Sequence, residues 1–301
     1  MIKKVVITAA GLGTRLFPAT KEQPKEMLPI FCRLMNGEVG VKPLLQLVFE
    51  QLYDVGFREF CFVVGRGKRS IEDHFTPDYD CLAMLKEHRK MSQAYDLENF
   101  YRKLKTSAIV WVNQPEAKGF GDSVLMAQPF VQNEKCLVHA GDTYVVSNQA
   151  EHLRLLIKAY DRLKVDAAFV VGEVPNARQY GVIEGHEIEK GIYKVNAVVE
   201  KPEKPLTNLA ITAIYGFDPD IFRALDKIAS GKSGEIQLTD AIQKLIDWGL
   251  NVCAVRLKDS DLWLDIGSPE TYWDALSLSY QHFCRKAEVV SAIGILKETY
   301  R

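Results

Sequence analysis

Short apolar runs alternate with longer amphipathic stretches over the first 175 residues. Runs at 5–10, 60–64, 109–112, 136–140 and 167–171 read as buried strands, being continuous in apolar residues and too short for helices. Between them apolar residues recur three and four positions apart. Pro43 stands where a helix can start, and Leu44, Leu45, Leu47, Val48, Leu52 and Val55 form a stripe that Gly56 ends. Leu153, Leu156, Ile157, Tyr160 and Leu163 form another. Residues 68–75 read as a short helix, 80–105 as charged and helical, and 119–128 as a loop entering a helix. Strand alternating with helix over residues 1–175 predicts a parallel, doubly wound sheet. Residues 180–218 change texture, to β-like runs between Gly, Pro and Asn turns, and the final hundred residues return to helix at 221–229, 238–248 and 270–285. Residues 31–42, polar and glycine-containing, read as an exposed insertion. Phe57, Phe60, Phe62, Trp263 and Trp273 read as core.

Composition narrows the class. At 301 residues and 47% hydrophobic, the chain can bury a sizeable core, and its halves read as one body around a cleft. With 38 basic and 39 acidic residues nothing points to a polyanion-coating surface, so the expectation is that nucleic acid is not a partner. Six cysteines without a CxxC spacing read as reduced thiols. No signal-peptide core and no stretch of eighteen apolar residues is evident, so the expectation is a soluble, cytoplasmic protein with no membrane partner.

The chemistry gathers around the end of the first run. Gly11-Leu12-Gly13-Thr14 breaks the strand, Arg15 follows, and Lys25 comes ten residues later within Pro-Lys-Glu-Met-Leu-Pro. Glycines let the backbone aim N–H groups at an anion, and the two cations add charge. Leu16 occupies the third glycine position of the dinucleotide fingerprint, and Gly65-Arg66-Gly67-Lys68 carries pieces of a P-loop at the wrong spacing, so neither reading is supported. Asp142 closes the fourth run and Asp265 stands at a second strand end, both placed to hold Mg²⁺ if the fold brings them to a phosphate. Glu200-Lys201 closes another run before Pro202; it reads as a solvated hairpin end or as a carboxylate for sugar hydroxyls beside an ammonium for a phosphate. His139 reads as a buried, hydrogen-bonded histidine.

Taken in order, these stretches resemble the UTP–glucose-1-phosphate uridylyltransferases of bacteria and archaea, within the sugar-1-phosphate nucleotidylyltransferases. The resemblance runs from about Lys3 to about Ala275 and rests on residues 10–21, 24–29, 70–75, 114–119, 180–182, 199–202 and 234–240. It implies a Rossmann-like α/β/α sandwich with a mixed, mainly parallel sheet and additional β structure over the sugar site. It implies one nucleotidyltransferase domain over 1–301, with a nucleotide half at 1–175, a sugar half at 176–270 and a C-terminal helical segment at 271–301. The implied reaction joins UTP and glucose 1-phosphate into UDP-glucose and pyrophosphate with Mg²⁺.

Residue by residue, the resemblance implies that Ala10, Gly11, Gln114 and Gly119 hold the uracil, and that Gly13, Thr14, Arg15 and Lys25 hold the triphosphate. Gly181 and Glu200 would contact the glucose hydroxyls and Lys201 the sugar phosphate, with Arg15, Lys25 and Lys201 as the catalytic cations. Asp142 and Asp265 would hold the metal. A homodimer or homotetramer is implied. The chain departs from the family pattern in the length of 31–42, in His139-Ala140-Gly141-Asp142, and in Trp263-Leu264-Asp265-Ile266-Gly267, which is similar to the thymidylyltransferase branch and makes dTTP the alternative donor. A binding-only relative would lack Arg15, Lys25, Asp142 or Lys201, and all four are present.

Overall fold

The computed structural model describes residues 1–228 and 234–299, those from 285 onward as helical backbone alone. Strand β1 (Lys4–Ala9) is followed by β2 (Pro29–Arg33), β3 (Val39–Pro43), helix α1 (Leu44–Val55) and β4 (Glu59–Gly65). Helices α2 (Arg69–His74), α3 (Tyr79–Glu87) and α4 (Met91–Lys105) lead to β5 (Ala108–Gln114). Next come α5 (Phe120–Met126), α6 (Gln128–Val131), β6 (Cys136–Ala140), β7 (Thr143–Val146), α7 (Glu151–Leu163) and β8 (Ala167–Glu173). The chain continues through β9 (Gly181–Glu189), β10 (Ile192–Glu200), β11 (Leu209–Phe217), α8 (Asp220–Leu225), α9 (Leu238–Asp247), β12 (Val252–Arg256), β13 (Leu262–Asp265) and α10 (Pro269–Thr299).

Nine strands form one sheet in the order β5-β4-β1-β6-β11-β8-β12-β10-β9. Parallel ladders join β5, β4, β1 and β6, and join β8 to β12. Only β11 and β10 run against their neighbours, so the sheet is mixed with one dominant direction. Alternate strand residues feed two cores. Val5, Ile7, Phe60 and Phe62 pack with α1 and α7 on one face, whereas Val6, Cys61, Val63 and Val138 pack with α5, α8 and α9 on the other. That is an α/β/α sandwich. Its parallel strands are apolar on both faces, which is why they stand out as continuous runs.

Four expectations need correction. Residues 31–42 are not a plain exposed insertion: β2 and β3 pair as a hairpin, with Cys32 buried and the buried Lys42 ammonium 3.1 Å from Glu50 and 3.4 Å from Asp96. The partners that bury Lys42 lie on α1 and α4, beyond any local pattern. Residues 80–105 form two helices, divided where Arg89 takes a left-handed φ of 56°. Trp273 is 69% exposed on α10. The final hundred residues also contain β12, which completes the parallel pair with β8. The helix expected at 221–229 is observed as α8, and Ala229 lies outside the described residues.

Candidate active site

One cleft of about 480 Å³ opens beyond the carboxyl ends of β1, β5 and β6 and extends over β9, β10 and β11. Ligands of open α/β sheets bind beyond these strand ends. Ala10, Gly11, Gly13, Thr14, Arg15, Lys25, Gln114, Gly119, Asp142, Gly181, Glu200, Lys201 and Asp265 all line it. The topology therefore gathers every residue to which the resemblance gives a substrate or metal role around one space.

At the glycine-loop end, Lys25 sits in a single helical turn, Lys25–Met27, set by flanking prolines. Its ammonium donates to Asp142 Oδ2 at 2.5 Å. Burial opposes the Lys25 charge, but Asp142 and then Glu26 outweigh it and raise its pKa above the ordinary lysine value. Burial would likewise raise Asp142, yet Lys25 holds that carboxyl below its usual range. The pairing of β13 with β7 sets Asp265 opposite Thr143, next to Asp142. Burial first, and the Asp142 charge second, push Asp265 up to about 6. Gly141 makes this corner possible: its N–H bonds Thr8 O at 2.8 Å, and a Cβ there would stand 2.8 Å from that oxygen. This accounts for a glycine beside Asp142.

Two neighbouring carboxylates that repel one another suit a bound cation. Mg²⁺ needs only one or two protein carboxylates when phosphate and water complete its shell. Among the described residues there is no group of three or more His, Cys, Asp and Glu able to hold a metal ion, so a metal here would depend on substrate oxygens as well.

Gln114 is fixed before any ligand arrives. Its Nε2 donates to Asp122 Oδ2 at 2.6 Å, and its Oε1 accepts from Ser123 at 2.7 Å. One lone pair of that Oε1 and the backbone nearby remain to meet a planar base edge. The loop that follows is clasped to the segment before α9: Ile236 N–H donates to Lys118 O at 2.7 Å, and Gly121 N–H to Ile236 O at 2.8 Å.

At the far end, Glu200 Oε2 accepts from Thr239 at 2.7 Å, and Lys201 lies 3.2 Å from Glu200 Oε1. Lys201 holds a left-handed φ of 42°, and its N–H reaches Tyr180 O at 3.1 Å. Trp263, expected in the core, packs against it half-buried and also lines the cleft, with its ring 5.2 Å from Tyr180 and its indole N–H donating to Thr143 at 3.2 Å. His139 is fully buried, and its ring Nδ1–H donates to Ala140 O at 2.7 Å, which removes it from the reacting groups.

The sequence reading missed Asp122 and Ser123, which orient Gln114, and Thr239, which orients Glu200. Each acts through another side chain and carries no motif of its own, although Thr239 falls within the 234–240 stretch that resembles the sugar side.

The cleft can hold a polyanion at the glycine loop and a second anion at Lys201, with carboxylates for a cation on the same wall. The nucleotidyl transferase family model matches residues 4–281. A UTP–glucose-1-phosphate uridylyltransferase of Pseudomonas aeruginosa is 36% identical over 289 residues, 94% of this chain and 97% of that protein. Another, from Bacillus subtilis, is 38% identical over 248 residues, 81% of this chain and 80% of that protein. A crystal structure of UDP-glucose pyrophosphorylase complexed with UDP-glucose superimposes with a TM-score of 0.77 at 32% identity, over 94% of this chain and all of that one.

Proposed function

The chain belongs to the nucleotidyl transferase family, and we propose that it converts UTP and glucose 1-phosphate to UDP-glucose and pyrophosphate. A phosphate oxygen of glucose 1-phosphate attacks the α-phosphorus of UTP in line; the new P–O bond forms as the bond to the β-phosphate oxygen breaks. The attacking phosphate is already deprotonated, so the reaction needs alignment and charge compensation more than a base.

Residues 10 and 11 with Gln114 and Gly119 take the uracil, Gly13, Thr14, Arg15 and Lys25 the triphosphate, Gly181 and Glu200 the glucose hydroxyls, and Lys201 its phosphate. Asp142 and Asp265 would hold Mg²⁺, which supplies Lewis-acid charge to phosphate oxygens when bound. On this reading residues 1–175 serve the nucleotide, 176–270 the sugar, and 271–301 a helical extension of the same domain. On the same reading the enzyme works in the cytoplasm as a homodimer or homotetramer. Among the described residues no helix is long and apolar enough to cross a membrane.

The observation that carries the reading is a single cleft lined by two separate cationic groups, Arg15 with Lys25 and Lys201, together with the Asp142–Asp265 pair. Pyrophosphate release across UTP, dTTP, ATP, CTP and GTP, each with glucose and galactose 1-phosphates, tests it. UTP with glucose 1-phosphate is expected to lead the other pairs by about tenfold or more, the discrimination that one group on a substrate commonly supplies. No pyrophosphate from any pair overturns the reading; dTTP matching UTP overturns the choice of nucleotide.

A further inference from the structure

Beneath the glycine-loop end of the cleft lies an ion pair that the reaction outlined above does not use. Glu26 is 1% exposed and Lys68 is 8% exposed, and Lys68 Nζ donates to Glu26 Oε2 at 2.8 Å. Lys68 belongs to the Gly-Arg-Gly-Lys stretch that resembles a fragment of a P-loop. Its two glycines have a different use here. A Cβ on Gly65 would stand 2.9 Å from Ala10 O, so this glycine lets the end of β4 close against the end of β1. Gly67 takes a left-handed φ of 81°, turning the chain just ahead of Lys68. The stretch delivers a lysine underneath the loop.

Glu26 is the residue after Lys25, and its Cγ lies 3.4 Å from where a Cβ on Gly141 would be, next to Asp142. The charges thus alternate through one corner: Lys68, Glu26, Lys25, Asp142. A buried ion pair is a poor source of stability, because an apolar pair of the same volume does as well or better. Its presence beneath a site that must keep the Lys25 ammonium turned toward a polyanion calls for another cause.

We propose that Lys68 is a positioning residue for the triphosphate end, holding Glu26 so that its carboxylate does not draw Lys25 inward. Without Lys68, the buried Glu26 charge has its sequence neighbour Lys25 as the nearest compensating cation. An ammonium bound inward is lost to the pyrophosphate that leaves. The inference rests on the assignment of Lys25 to the triphosphate.

The test is a cycle of Lys68→Met, Glu26→Gln and the double variant, with UTP binding by calorimetry and kcat and KM for each substrate. In Lys68→Met, kcat/KM for UTP and UTP affinity should fall by roughly tenfold to a hundredfold, the range for a misplaced substrate-holding group. KM for glucose 1-phosphate should stay within about twofold, since Lys201 is untouched. The double variant, with neither charge, should regain most of the UTP affinity. Equal losses for both substrates, or a double variant as impaired as Lys68→Met, would mean the pair is merely structural and overturn the proposal. If Lys68→Met does not fold, Lys68→Arg replaces it. That variant keeps the charge and should bind UTP nearly as the native chain does; a stable Lys68→Arg that has lost UTP binding overturns the proposal equally. A native chain that makes no UDP-glucose sinks the reaction assigned above, while calorimetry with UTP still judges Lys68 separately.

Discussion

At the glycine-loop end of the cleft, Lys25 keeps 17% of its side chain exposed and lies 2.5 Å from Asp142; at the sugar end, Lys201 is 47% exposed and 3.2 Å from Glu200. On the proposed reading each end offers a lysine to a phosphate, but the two lysines are held by different means. Lys25 is fixed by charge, within the alternating set that includes Glu26 and Lys68. Lys201 is fixed by its backbone, which takes a left-handed turn directly after β10 and hydrogen-bonds Tyr180 O. The first arrangement holds a largely buried ammonium through paired charges, whereas the second leaves a more exposed ammonium paired with a single carboxylate.

The largest effects should come from removing one charge at each end. Asp142→Ala and Lys201→Ala are each expected to lower turnover by at least ~10²-fold, the loss typical of one charge-stabilising group. Their stabilities should differ. Asp142→Ala leaves the Lys25 ammonium without its partner and should lower Tm by roughly 2–4 °C for a chain of this size. Lys201→Ala removes only a solvent-screened pair, and alanine meets the same left-handed backbone cost as lysine, so Tm should hold within about 1 °C. Calorimetric scans and pyrophosphate release check both. Near-normal turnover in either folded variant removes the role assigned to that residue, and equal Tm losses would erase the contrast between the two ends.

A smaller effect sharpens the sugar end. Thr239 is 6% exposed and donates to Glu200 Oε2, so Thr239→Val keeps the volume and deletes the bond. KM for glucose 1-phosphate is expected to rise about fivefold, equivalent to ~1 kcal/mol for one hydrogen bond, with KM for UTP unchanged. A matching rise for UTP would show that the Ile236 clasp, close to Thr239 in sequence, transmits the change to the base end.

How far the sequence reveals this molecule depends on whether a residue's cause lies nearby in the chain. β1, β4, β6 and β8 are apolar on both faces, so each announces itself by composition. The hairpin of β2 and β3 does not, because Lys42 is buried by acids on α1 and α4 that no local window contains. Asp142 and Asp265 could be suspected as strand-end acids, but only the pairing of β7 with β13 sets them side by side. Lys68 carried the least useful signal of all. Its glycines matched half of a familiar motif, whereas their work is to fit β4 against β1 and turn a lysine beneath the loop. Trp273 misled for the opposite reason: a large aromatic suggests a core, and this one faces outward from α10.

A last effect concerns stability in acid and sets the sheet apart from the cleft. His139 on β6 and His152 on α7 are buried, and the Nε2 atoms of both have no hydrogen-bond partner among the described residues. Burial lowers His139 to about 4; burial, with His139 as the lesser cause, lowers His152 to about 3. An unfolded histidine titrates near 6.5, so below that pH the unfolded chain binds protons that the folded chain refuses. Stability should therefore be complete above about pH 7 and fall as pH drops from 6.5 toward 4, by about 1.4 kcal/mol per histidine per pH unit in the steep part. Asp265 works in the opposite sense: its raised pKa means that the folded chain takes up a proton first as pH falls toward the usual carboxylate range. The comparison that isolates the histidine is urea unfolding of the native chain and His152→Gln at pH 7.5 and 5.5. The Asp265 contribution is common to both chains, so the variant should lose less stability between the two pH values. Equal losses in the two chains would mean that His152 accepts its proton within the fold.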